Sequence, residues 1–117
     1  MQSPSVGAVW ETFVFSELRD RERRAGRAGS LFFWRDRTRE VDFVSDAGGR
    51  LELFEAKWTE LPGTGETVNL EFVRDVVGRS RIAGGAVVCR TPNSFPFANG
   101  LRAVPVTELP DLNFSSA

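Results

Sequence analysis

An α/β domain is what this sequence predicts: one long helix, three short strands in succession, a second helix, then one or two further strands. Three observations lead there. Apolar residues recur at helical spacing over residues 5–24, glycine-broken apolar runs fill residues 30–58, and a second helical stripe from Val68 precedes another short apolar run. Consecutive short strands imply an antiparallel meander. The later helix implies a crossover that adds to the same sheet, giving a mixed sheet flanked by helices.

In the first helix, Ser5 to Arg24, the residues Val6, Val9, Trp10, Phe13, Val14 and Leu18 draw one stripe, and Gly26 and Gly29 end it. Strands follow at Ser30–Trp34, Glu40–Ser45 and Arg50–Trp58, the last two joined by the turn sequence Asp46-Ala47-Gly48-Gly49. A loop covers Leu61–Thr67 and the second helix runs from Val68 to about Arg79. Gly84–Cys89 reads as a buried strand and Arg102–Val106 as a last, edge strand. All 117 residues read as one domain with its core at about 5–109 and a loosely ordered tail over 110–117.

With 41% hydrophobic residues, 10 Phe and 3 Trp the chain can bury a core. A single cysteine, Cys89, and no histidine exclude an intrachain disulfide, a Cys-rich zinc site and a histidine base. Any metal must sit on carboxylates and carbonyl oxygens, which favours Mg²⁺, Mn²⁺ or Ca²⁺; no zinc, haem or nucleotide is expected. The N-terminus lacks a basic region followed by an apolar stretch, and no apolar run nears the roughly 20 residues that cross a bilayer. A cytoplasmic setting without membrane contact is therefore expected. The net charge of −1 gives no general pull toward nucleic acid. The basic residues are arginines with one exception, Lys57, a compact charge whose pKa burial can lower.

That lysine stands in Glu55-Ala56-Lys57, where residues i and i+2 share one face of a strand. The hairpin turn folds the preceding strand alongside, bringing Asp42 near Glu55. Two adjacent carboxylates stay ionised together only around a cation, and a divalent ion there can activate water beside a phosphodiester. Lys57 could orient or deprotonate that water, or neutralise the transition state. A plain solvated strand carrying an ion pair is the competing reading. The apolar neighbours Leu51, Leu53, Phe54 and Trp58, and the uniqueness of the lysine, favour the site.

The ordered set Gly7-Ala8-Val9-Trp10-Glu11-Thr12-Phe13-Val14, Leu31-Phe32-Phe33-Trp34-Arg35, Glu40-Val41-Asp42-Phe43-Val44 and Leu53-Phe54-Glu55-Ala56-Lys57 resembles a known family. It is similar to domain of unknown function 4143, found at the C-terminus of prokaryotic AAA-type ATPases and regarded as a relative of the PD-(D/E)xK, restriction-endonuclease-like nucleases. Gly85–Thr91 and Asn99–Val106 extend the resemblance over about Gly7 to Leu109. It implies Asp42 and Glu55 as metal ligands, Lys57 as the catalytic lysine, Glu11 as an accessory ligand and the Ala56 carbonyl as a further oxygen. The chain departs from the pattern in lacking an ATPase domain and the Gln-x-x-x-Tyr element of RecB-like nucleases; it has no tyrosine.

Glu17 falls mid-stripe on the first helix and Glu11 at its edge, so Glu17 reads as a structural ion pair with Arg35 or Arg39, and Glu11 as the site residue. Trp10, Trp34 and Trp58 read as core or rim, the Arg19–Arg27 charge run as a solvated helix end, and Cys89 as a small apolar residue. Two functions stay open. One is Mg²⁺- or Mn²⁺-dependent phosphodiester hydrolysis, with DNA ahead of RNA. The other is a non-catalytic module docking an AAA-type ATPase or forming a homodimer.

Overall fold

The computed structural model describes residues 5–114. Its first helix, α1 (Val6–Arg24), starts at Ser5, whose hydroxyl accepts the Ala8 amide as an N-cap. Three strands follow: β1 (Leu31–Arg35), β2 (Glu40–Ala47) and β3 (Arg50–Ala56). They pair antiparallel in order, the meander expected. Gly48 and Gly49 take positive φ, at 72° and 95°, as the tight β2–β3 turn requires. Helix α2 (Val68–Val77) then crosses over to β4 (Ile82–Cys89), which lies parallel to β3.

Two more strands, β5 (Phe95–Pro96) and β6 (Arg102–Pro105), complete a six-stranded sheet of order β1-β2-β3-β4-β6-β5. The strand expected at the edge is therefore interior: β6 is parallel to β4 on one side and antiparallel to β5 on the other. The two-residue β5, too short to register as an apolar run, takes the edge and can carry Pro96 there.

The sheet separates two cores. Leu53, Val87 and Ala103 pack with Leu70 and Val73 of α2, and Phe54, Val88 and Val104 pack with Val14 and Leu18 of α1. Cys89 is buried with the first of these cores, as a small apolar residue should be. The tail is not loose up to Phe114. A 3₁₀ turn over Val106–Asp111 carries Leu112 and Phe114 against the α1-side core. A Cβ at Gly84 would run into the Phe114 ring, so this glycine is the seat of the tail. Residues 115–117 lie outside the described residues.

Three further expectations fail on and beside α1. Its buried residues are Val14, Leu18, Arg21 and Glu22, while Val6, Val9 and Phe13 are about half exposed. The helix is rotated from its apolar stripe, and Glu17 falls at the margin of the buried face. Among the described residues Glu17 forms no ion pair; Arg35 instead faces Glu40 at 3.3 Å on the surface. The buried ionic network comes from the run read as solvated. Arg21 meets Glu52 at 2.8 Å and donates to the Leu112 carbonyl, and Arg27 meets Glu22 at 2.7 Å. Ser30 also donates to Glu22, so these buried charges are paired and hydrogen-bonded. No described helix is long and apolar enough to cross a membrane.

Candidate active site

The β2–β3 ladder runs from the turn to Phe43 opposite Phe54 and then opens. On its other side β2 shifts register against β1, so Asp42 and Phe43 together face Phe33. Such a bulge bends a strand and re-aims its side chains. Where the ladder opens, side chains replace the missing backbone pairs. The Asp42 amide donates to Glu55 Oε1 at 3.0 Å, and the Ala56 amide donates to Asp42 Oδ2 at 2.8 Å. Each carboxylate is thus fixed by the backbone of the neighbouring strand.

Lys57 follows β3 directly, its amide bonded to the Val88 carbonyl, and its Nζ stands 3.7 Å from Glu55 Oε2. The hairpin therefore brings Asp42, Glu55 and Lys57 together as the sequence implied. Glu55 is 2% exposed. Burial first, and the charge of Asp42 second, push its carboxyl up to about 7, against the pull of the Asp42 amide and Lys57. Asp42 is raised as well, chiefly by burial, with the Ala56 amide and Lys57 opposing.

Glu11, on α1, is raised by its own partial burial and then by the charges of Asp42 and Glu40, with Lys57 opposing. It lines a cavity of about 500 Å³ with Asp42, Glu40 and the aromatic residues of β1. Glu11 feels the acid pair without joining it, since no three acidic, His or Cys side chains among the described residues form a metal-binding group. Sequence reasoning missed Glu40, whose charge acts on Asp42, Glu55 and Glu11. Its position two residues before Asp42 was the available signal. A larger depression of about 620 Å³ lies at the start of β3, among Arg21, Arg27, Glu52 and the tail; its paired charges hold no acid pair.

The donor set fits a hard divalent cation. Mg²⁺ is ordinarily held by one or two carboxylates, with water and phosphate oxygens completing the shell. Glu55, buried beside another carboxylate and reluctant to ionise, is a group that a cation would relieve.

A mixed α/β sheet with an acid pair and a lysine where its central hairpin opens defines the class. Within it the chain belongs to the family described as domain of unknown function (DUF4143), whose model matches residues 6–109. It is similar in fold to the crystal structure of protein VC1899 from Vibrio cholerae, at a TM-score of 0.55 and 18% identity. That match covers 90% of this chain and 31% of the other, so the chain spans about a third of that protein. No curated protein matches the chain.

Proposed function

We propose that this domain is a PD-(D/E)xK-type nuclease that hydrolyses phosphodiesters of nucleic acid with Mg²⁺ or Mn²⁺. The observation that carries this reading is the exchange of carboxylate–amide hydrogen bonds between Asp42 and the Glu55-Ala56 segment. An exposed strand with a chance ion pair would not bury Glu55 or tie two carboxylates to each other's strands through backbone amides. Asp42 and Glu55 offer the ligand oxygens, with the Ala56 carbonyl as a further one. A divalent ion there supplies Lewis acidity and a more acidic water. Lys57 places a positive charge where it can orient the attacking water or offset charge on a phosphoryl oxygen. Glu11 and Glu40 deepen the negative field that draws the cation.

A second reading, a non-catalytic module that docks an AAA-type ATPase or a second copy of itself, is favoured by one feature. Val6, Val9 and Phe13 of α1 are exposed in a row. Calorimetric titration of Mn²⁺ and Mg²⁺ into the wild type and an Asp42→Ala, Glu55→Ala double variant separates the two. Binding that the double variant loses supports the metal site. A folded wild-type protein that binds neither ion at millimolar concentration sinks it and leaves the docking reading.

A further inference from the structure

Beside the acid pair runs a line of aromatic rings. Phe13 stacks on Trp10 with centroids 5.8 Å apart, and Trp10 meets Trp58 edge-on at 5.3 Å. The Arg90 guanidinium caps Trp58 at 3.8 Å. The indole nitrogen of Trp10 donates to the Val88 carbonyl, which fixes the middle of the line to β4. Its two ends reach the surface: Phe13 is 47% exposed and Trp58, with Arg90 over one face, 43%. The tryptophans read from sequence as core or rim thus include a ring half in water.

The line adjoins the site at two points. Trp10 precedes Glu11 on α1, and Trp58 follows Lys57 beyond β3. Arg90 comes from the end of β4, and its ion pair to the exposed Glu60 is long, at 3.4 Å. Exposed rings, a guanidinium on one of them and a half-exposed lysine beside it match the two halves of a nucleotide, a flat base and an anionic phosphate. Duplex bases keep their faces stacked inside the helix and cannot use such rings. A protein partner would use the apolar rings but would leave the Arg90 guanidinium on Trp58 without a role.

We propose that the Phe13–Trp10–Trp58 line and Arg90 form a track for an unpaired nucleic-acid strand, which makes the substrate single-stranded. This rests on the nuclease reading for its purpose, but binding to the track requires no metal.

The test is fluorescence anisotropy at low salt in EDTA, with labelled oligothymidylate, oligouridylate and a DNA duplex as probes. Either single strand should bind more tightly than the duplex, and the better of the two tells DNA from RNA. Trp58→Ala and Arg90→Ala should each weaken the complex about tenfold, while Trp58→Phe, which keeps a ring, should retain most of it. Thermal melts confirm folding. Equal affinity for duplex, or single-strand affinity indifferent to Trp58→Ala in a folded protein, overturns the proposal. So does concentration-dependent self-association abolished by Phe13→Ala, which would make the line a protein interface. Single-strand binding without metal-dependent cleavage would sink the nuclease reading and leave the track. Cleavage of duplex alone would do the reverse.

Discussion

Asp42 and Glu55 are tied to each other through the main chain, each acid or its neighbour supplying an amide to the other's carboxylate. Their separation is thus set by the opening of the β2–β3 ladder and not by free rotamers. That arrangement buries one acid beside another at a cost, and burial first, with the charge of Asp42 second, raises the Glu55 pKa.

The cost has a pH signature. The Glu55 carboxyl is raised from 4.5 to about 7 on folding, so the folded state holds the proton more tightly than the unfolded chain. The stabilisation is fully present below about pH 4.5 and is lost as pH rises through about 7. The loss is on the order of 3 kcal/mol. Urea unfolding across this range should show it in the metal-free wild type, and Glu55→Gln should be flatter. Equal slopes would remove Glu55 as the titrating group.

Metal should reverse that loss. A divalent ion at a hundredfold excess over its Kd stabilises the folded state by about 2.7 kcal/mol. A rise in melting temperature with Mn²⁺ should therefore be larger at pH 8 than at pH 5 and absent in Asp42→Asn.

On the nuclease reading, Lys57→Met should abolish hydrolysis while leaving Mn²⁺ binding in place or tighter, since a positive charge near the proposed ligands has gone. Calorimetry beside a cleavage assay reads both. Loss of metal binding together with activity would mean that the lysine holds the acids in place.

The ionic network predicts a contrast in stability. Arg21→Ala leaves Glu52 buried without its main partner and should cost about 3–5 kcal/mol. Glu17→Gln and Arg35→Ala, at a helix margin and in an exposed pair, should each cost under about 1 kcal/mol. Chemical denaturation of the three variants checks the ranking, and a costly Glu17→Gln would restore a paired role for that residue.

Gly84→Ala should displace Phe114 and cost about 1–3 kcal/mol. Adding Phe114→Ala should recover part of that, because the clash then has no ring to meet. Limited proteolysis near residues 111–114 should quicken in the single variant. Additive costs would mean that the tail is seated elsewhere.

What the sequence made legible was local. The i, i+2 placement of Glu55 and Lys57 and the Asp46–Gly49 turn suffice to bring Asp42 alongside, because one hairpin does all the folding involved. The rotation of α1 was not legible. Val6, Val9 and Phe13 carry the apolar pattern yet face outward, and the true inner face includes Arg21 and Glu22, whose charges conceal it. Only pairing with Glu52, Arg27 and Ser30, brought from elsewhere in the chain, makes burial of those charges tolerable. The interior place of β6 and the seat of Phe114 on Gly84 likewise depend on contacts between distant segments, which no local periodicity encodes.

The carboxylate–amide exchange also bears on how the hairpin finds its alignment. Slipping β2 by one residue against β3 would turn Asp42 to the opposite side of the sheet and leave Ala56 without its acceptor. Both bonds close in a single alignment, so the same two acids that gather the negative charge also reject the misaligned hairpin as it forms.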